Sequence, residues 1–170
     1  DAGGAAYEQK RLRAGLARQN LRIVVSGSGS VDLRAAVFQH QVSPVIVLAS
    51  GQAPKSRLAK LERLANCVKV CGEKSVSLGQ ALGWLRREWA VKRLLCEGGG
   101  ELNFELLRLG LVDELHLTLC PRVIGGRDAP TIADGEGFAS LAKTANLKMT
   151  RQRRIGDELF TTWSVRPKAR

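Results

Sequence analysis

The chain has 170 residues, 44% of them apolar and 25% charged, with a formal net charge of +11. That length suits one domain with a real core, and the proportions are ordinary for a globular protein. No apolar run approaches the roughly 20 residues of a membrane helix, and the opening Asp1-Ala2-Gly3-Gly4 has neither the basic start nor the apolar centre of a signal peptide.

The positive charge fits a nucleic acid or an anionic small molecule such as a dinucleotide phosphate. The basic residues are dispersed over Lys10, Arg11, Arg13 and Arg18, over Lys55, Arg57, Lys60 and Arg63, and over Arg151, Arg153 and Arg154. Aromatic residues make up only 5%, with one Tyr, which argues against a base-stacking platform. Solvated helix faces account for most of the charge. Cys67, Cys71, Cys96 and Cys120 fall in or beside apolar segments, and no CxxC pair supports a zinc ribbon or a redox motif. They read as buried thiols in a reducing cytoplasm. With only His40 and His116, no His-rich metal site is expected.

Residues 5–19 suit a helix with Tyr7, Leu12 and Leu16 on one stripe, weakened by Gly15 and stopped at Asn20. Leu21 to Ser26 is a short β-branched run, expected as a strand buried on both faces. Gly27-Ser28-Gly29-Ser30 follows. A turn just past a buried strand is where open α/β sheets bind ligands, although a plain connector has the same letters. A helical turn is expected around Ala35 to Phe38, and a second buried strand over Pro44 to Ala49. Residues 54–65 make a helix opening on Pro, with Leu58, Leu61, Leu64 and Ala65 inward. Cys67 to Cys71 is a short strand. Residues 77–89 make a helix with Ser77 as N-cap and Leu78, Leu82, Leu85 and Trp89 at helical spacing; Trp84 and Trp89 read as packing.

The next stretch organises the rest. Lys92 to Cys96 reads as a buried strand, Glu97 closes it, Gly98-Gly99-Gly100 turns the chain, and a helix runs over 101–109 up to Gly110. Glycines there permit positive φ and leave no Cβ in a ligand's way. The helix start offers unpaired N–H groups and the positive end of a dipole. Strand, glycine turn and helix start together suit an anion, usually a phosphate; a tight turn without a ligand is the bland alternative. The pattern is neither GxGxxG nor a P-loop.

Asp113 to Cys120 alternates, with Leu115, Leu117 and Leu119 on one side and Glu114, His116 and Thr118 on the other. A lone His on such a strand is usually structural. After Pro121, residues 125–140 form a Gly-, Asp- and Pro-rich surface loop suited to covering a site. The tail reads as a hairpin, Asn146 to Arg154 and Glu158 to Val165, turning at Ile155-Gly156-Asp157, with Met149, Phe160 and Trp163 as sheet packing. Strand–helix alternation up to residue 110 predicts a parallel sheet with helices on both faces. With the hairpin added, the fold class is mixed α/β, as a single domain over 1–170.

The run Leu95-Cys96-Glu97-Gly98-Gly99-Gly100-Glu101-Leu102-Asn103, then Leu106-Leu107, Gly110-Leu111-Val112-Asp113-Glu114-Leu115, Pro121 and Gly125-Gly126, resembles the pyrimidine reductase domain of bacterial riboflavin biosynthesis. Such domains have the dihydrofolate-reductase-like fold. The resemblance covers most of residues 20–165 and is more specific for the superfamily than for the substrate. It implies an NADPH-dependent oxidoreductase acting on 5-amino-6-(5-phosphoribosylamino)uracil or a similar phosphorylated pyrimidine, reducing ribosyl to ribityl with the cofactor's hydride. By the same resemblance, Ser26, Gly27 and Ser28 lie near the adenosine end of the cofactor. Gly98, Gly99, Gly100, Glu101, Leu102, Asn103, Phe104 and Glu105 lie along its phosphates. Glu97 contacts the substrate, with capping of the glycine turn as its alternative role. No catalytic residue is assigned. A homodimer is implied, with Leu117 or Phe160 at the contact. A fused deaminase domain is common in relatives, but no zinc-binding deaminase signature occurs in this sequence. The first strands and helix of such domains also have no counterpart here, so exposed strand edges are expected and full activity from these 170 residues is not. The competing readings are a non-catalytic nucleotide-binding or structural domain of the same fold, and a reductase of another small substrate. A nucleic-acid binder, resting on charge alone, is the weakest.

Overall fold

A computed structural model describes residues 4–39 and 43–166; His40 lies outside them. The chain divides into two units, Asp1–Val91 and Lys92–Arg170.

The apolar β-branched runs of the first unit build a parallel sheet. β1 (Arg22–Val25), β2 (Val45–Ala49) and β3 (Cys67–Val70) lie in that order, with Val24 opposite Val47 and Val47 opposite Val68. Around them run α1 (Gly4–Arg13), α2 (Ala36–Gln39), α3 (Lys55–Glu62) and α4 (Leu78–Glu88). All five residues of β2 are buried, and the two-residue period of a strand sends them to two different cores. Ile46 and Leu48 pack with Cys71, Ala81 and Leu85, whereas Val45 and Val47 pack with Phe38 and Leu61. Each fully buried Leu or Ile contributes about 1.5–3 kcal/mol. β1 is only half-buried rather than buried on both faces, because it lies at the edge of this sheet.

α1 stops six residues short of the expected end. Gly15 takes φ +68°, its N–H donates to the Leu12 carbonyl at 3.0 Å, and the Leu16 N–H donates to the Arg11 carbonyl at 3.0 Å. That pair of bonds is a Schellman cap, which closes a helix one residue before its glycine. Beyond it the chain folds back, and Arg11 Nε donates to the Ala17 carbonyl at 2.8 Å.

The second unit holds α5 (Gly100–Arg108), β4 (Glu114–Leu119), a 3₁₀ turn at Leu141–Lys143, β5 (Asn146–Ile155) and β6 (Glu158–Arg166). The three strands form an antiparallel sheet in the order β4-β6-β5. The hairpin turns at Gly156-Asp157, where Gly156 takes φ +58°. A register shift between Met149 and Arg151 marks a bulge. The register places Leu115, Leu117, Leu147, Met149, Leu159 and Trp163 on one face. His116, Lys148, Arg151, Arg153, Phe160 and Thr162 share the other. Every residue of the outer strand β5 is exposed.

Three local expectations differ from this picture. Lys92 to Cys96 forms no strand, and Leu95 is 73% exposed. A strand buried on both faces needs ladder partners on both sides, and none of the six strands of the described residues pairs with this segment. Cys120 is exposed rather than buried, because it lies just past the end of β4; Cys71 is buried, and Cys67 and Cys96 are half-buried. Met149 and Phe160 remain partly exposed, while Trp163 is half-buried and donates its indole N–H to Thr161 Oγ1 at 2.9 Å.

Candidate functional site

The three consecutive glycines serve three different physical needs. Gly98 takes φ +109°, a conformation that L side chains rarely adopt, and its peptide to Gly99 is cis. Gly99, the N-cap of α5, has φ −66° and ψ −179°, open to any residue, and a Cβ built there would meet no atom within 4 Å. Gly100 is the first residue of α5, and a Cβ on it would overlap the Asp134 carboxylate, 2.5 Å from Cγ and 2.9 Å from the Asp134 backbone nitrogen. The middle glycine is therefore not demanded by the protein's own packing; it leaves open space at the start of a helix.

That helix start has donors to spare. The Asn103 N–H is taken by the Gly99 carbonyl at 3.0 Å. Among the described residues, the N–H groups of Gly100, Glu101 and Leu102 donate to no protein acceptor, and no side chain caps α5. Three open donors at the positive end of a helix, beside a glycine with no Cβ, fit the phosphate of a dinucleotide.

The side chains of this segment divide by role. Asn103 bridges. Its Nδ2 donates to the Ile132 carbonyl at 2.9 Å, and its Oδ1 accepts from the Cys96 thiol at 3.4 Å. Phe104 is buried and meets Phe138 edge-to-face at 5.2 Å, so only its backbone can serve a ligand. Leu102 is half-buried and Glu101 exposed. Glu105 gives both carboxylate oxygens to Arg108, each at 2.5 Å. Those bonds hold its carboxyl below the usual range. Glu97 is exposed immediately before the turn. Among the described residues it accepts no hydrogen bond from the glycines, so capping by Glu97 is not what holds the turn.

The feature that sequence reasoning missed is the hold of the loop on α5. Residues 131–138 are pinned to the helix's first turn by the Asn103–Ile132 bond, by Asp134 against Gly100, and by Phe138 against Phe104. Asp134 is itself fixed, since the Thr131 N–H and hydroxyl both donate to its Oδ1, at 3.2 and 2.6 Å. The loop's composition signalled a covering segment; no local pattern signalled which residues would touch α5.

Ser26, Gly27 and Ser28 lie in the first unit, past the carboxyl end of β1. The Ser26 N–H donates to the Leu48 carbonyl at 2.9 Å, and the Ser50 hydroxyl donates to the Gly27 carbonyl at 2.7 Å. Gly29, at φ +68°, completes the turn with a Cβ position 3.4 Å from Leu61 Cδ1. A shallow hollow of about 500 Å³ opens beside it, lined by Ser30, Val31, Asp32, Leu33, Arg34 and Arg57. It carries hydroxyl and guanidinium groups at the carboxyl end of a parallel sheet, the usual ligand position in such sheets.

His116 is exposed, with Nε2 3.3 Å from Glu114 Oε2 and Nδ1 3.3 Å from Thr162 Oγ1. These contacts suit a structural residue. Among the described residues no cluster of His, Cys, Asp and Glu could hold a metal ion, and no helix is long and apolar enough to cross a membrane.

Comparison with known proteins decides what this arrangement belongs to. The family model of the RibD C-terminal domain matches residues 3–161. The chain belongs to that family. It is 33% identical over 159 residues to the 2,5-diamino-6-ribosylamino-4(3H)-pyrimidinone 5′-phosphate reductase of Aquifex aeolicus, covering 94% of this chain and 70% of the relative. The reductase of the same name from Archaeoglobus fulgidus is 34% identical over 158 residues, with 93% and 68% covered. The riboflavin biosynthesis protein RibD of Actinobacillus pleuropneumoniae is 29% identical, and the chain spans 40% of its length. Among solved structures, a pyrimidine reductase-like protein from Corynebacterium diphtheriae superposes with a TM-score of 0.77 at 22% identity, over 95% of this chain and 67% of that one. A riboflavin biosynthesis reductase from yeast gives 0.62 at 18% identity, over 87% and 73%. The RibD-type chain thus has the mixed α/β, dihydrofolate-reductase-like fold expected from the sequence.

Proposed function

We propose that this chain is part of a reductase domain that passes a hydride from NADPH to a ribosylamino-pyrimidine 5′-phosphate, opening ribosyl to ribityl in riboflavin biosynthesis. The observation that carries it is the 33% identity to the Aquifex aeolicus reductase across 94% of the chain. The two units are taken as parts of one reductase domain, since the family match runs through both.

The nicotinamide supplies the hydride when bound, and the residues of this chain supply position and electrostatics. The open N–H groups of Gly100, Glu101 and Leu102 receive the cofactor's phosphates, with Gly98 and Gly99 leaving them accessible. Asn103, Phe104 and Glu105 hold the helix behind those donors. Ser26, Gly27 and Ser28 take the adenosine end, where the neighbouring Arg34 and Arg57 favour a phosphorylated ribose and hence NADPH over NADH. Glu97 offers a carboxylate to the donors of the pyrimidine. The basic balance of +11 suits two phosphorylated ligands. A homodimer in the cytoplasm completes the proposal, with the half-buried Leu117 or the partly exposed Phe160 at the contact.

Titration with NADPH and NADH, followed by fluorescence, and NADPH oxidation in the presence of the phosphorylated pyrimidine test this directly. Binding that prefers NADPH, with substrate-dependent oxidation by an N-terminally extended chain, is the expected result. Binding without turnover on any pyrimidine would leave a non-catalytic nucleotide-binding domain. Absence of binding would remove the cofactor assignment.

A further inference from the structure

The first unit holds a cation that its own packing does not account for. On β3, the two-residue period of a strand sends Cys67, Lys69 and Cys71 to one side. Cys71 is buried in the core it shares with Ala81 and Leu85 of α4, and Cys67 packs against that core. Lys69 therefore stands where an apolar side chain is expected. It is half-buried, and its Nζ lies 5.5 Å from the centroid of the Trp84 ring. Trp84 packs on the same core and meets Trp89 edge-to-face at 6.4 Å. The ring attracts the ammonium through its negative face but carries no net charge. Neither Lys69 nor the neighbouring Arg87 pairs with an acid among the described residues. Both cations line one hollow of about 370 Å³ between β3 and α4, with Gln80, Gly83 and Trp84 also in its wall. Small-molecule sites span about 300–1,000 Å³. Arg87 lies back over Gly83, where a Cβ would be 3.3 Å from its Nη1. One turn earlier, a Cβ on Gly79 would meet no atom within 4 Å, so the helix presents bare backbone there. The hollow shares no residue with the one beside the Ser28 turn, to which α3 contributes Arg57.

We propose that the hollow between β3 and α4 binds a small aryl anion, a flat apolar ring bearing a carboxylate or a phosphate, independently of the hydride chemistry. Lys69 and Arg87 take the anionic group, and the Gln80 amide donates beside them. The ligand's ring lies on the glycine-bared surface of α4 next to Trp84. An ammonium drawn partly out of water without a carboxylate partner is costly. An anion entering the hollow supplies the missing charge through charge-assisted hydrogen bonds. A bare inorganic anion would answer the cations but leave the indole and the helix surface wet, so the ring is part of what is recognised.

The indole N–H signal of Trp84 in a nitrogen–proton correlation spectrum of the full chain, assigned with Trp84→Phe, reports on this place. Phenyl phosphate, benzoate, benzyl alcohol and inorganic phosphate are titrated separately. Expected is a saturable shift with phenyl phosphate or benzoate, and the tighter of the two identifies the charged group. In Lys69→Met the affinity should fall about tenfold or more, as for one lost charge-assisted bond. Methionine restores the apolar pattern of β3, so this variant should melt no lower than wild type. Arg87→Gln, at an exposed position, repeats the comparison if Lys69→Met melts early. Absence of a saturable shift with either aryl anion overturns the proposal, as does equal affinity in wild type and the folded variant. Benzyl alcohol or inorganic phosphate binding as tightly as the aryl anions overturns it too, since charge or ring would then play no part.

Discussion

Gly99 and Gly100 are neighbours with opposite reasons for being glycine, and one pair of substitutions separates them. Gly99→Val adds three carbons where a Cβ meets nothing, on a backbone with φ −66°. Folding stability should fall by no more than about 1 kcal/mol, the order of cost of replacing glycine at an N-cap by a poor cap residue. The same side chain occupies the approach to the open α5 donors. Losing even one charge-assisted bond, worth about 1.5–3 kcal/mol, weakens NADPH binding by tenfold or more. Gly100→Ala should behave in reverse. Its Cβ falls 2.5 Å from Asp134 Cγ and 2.9 Å from the Asp134 backbone nitrogen, so the loop or the helix must shift. Overpacking of that kind costs about 1–3 kcal/mol, offset by up to about 1 kcal/mol of helix propensity gained from replacing glycine. With the full offset, a net loss of up to about 2 kcal/mol is expected from those two terms. Thermal melts and NADPH titration on both variants are the assay. A Gly99→Val protein that binds NADPH as tightly as the parent would refute the claim that the space above Gly99 belongs to the cofactor.

Three further outcomes follow from the same geometry. Glu97→Gln should spare NADPH binding and reduce turnover or substrate affinity, because its carboxylate serves no donor among the described residues; unchanged steady-state kinetics would return Glu97 to the surface. Leu61→Ala should destabilise the first unit by about 2–5 kcal/mol in chemical denaturation, since Leu61 is fully buried with Phe38, Val45 and Val47. It should also open space beside the Ser28 turn, where a Cβ on Gly29 would lie 3.4 Å from Leu61 Cδ1. The Glu105–Arg108 pair predicts a pH effect. The Glu105 carboxyl is lowered by its hydrogen bonds to Arg108, so its stabilisation is full above the ordinary value of 4.5 and is lost as pH falls through the lowered one. Arg108→Gln should flatten that acid limb of the melting curve, and an unchanged limb would count against the pair.

Much of the fold was legible because it is written in periodicities. The β2 run Val45-Ile46-Val47-Leu48-Ala49 is apolar at every position, and only a strand covered on both sides tolerates that. The alternation around Leu115 and Leu117, and the Gly156-Asp157 turn between two long strands, fixed the antiparallel part. Two boundaries failed for local reasons. By propensity Gly15 is only a weak point inside a helix, whereas its left-handed backbone makes it the terminator. Lys92 to Cys96 has the composition of a strand, but pairing depends on partners elsewhere in the chain, and periodicity does not report those. The glycine turn was visible from its letters and its place before a helix. Asp134 was not, because its meeting with Gly100 joins positions 34 residues apart through a loop without repeating pattern.

The outer strand β5 sets a rule for how copies of this sheet can meet. Lys148, Arg151 and Arg153 share one face of a strand exposed along its whole length. Two such strands laid edge to edge would bring like charges within about 5 Å of one another, which disfavours pairing. Continuous growth of the sheet through this edge is therefore opposed by charge rather than by shape. High salt or a polyanion lying along β5 would weaken that protection, so conditions that screen charge are those in which the protein should be most prone to self-associate through its own hairpin.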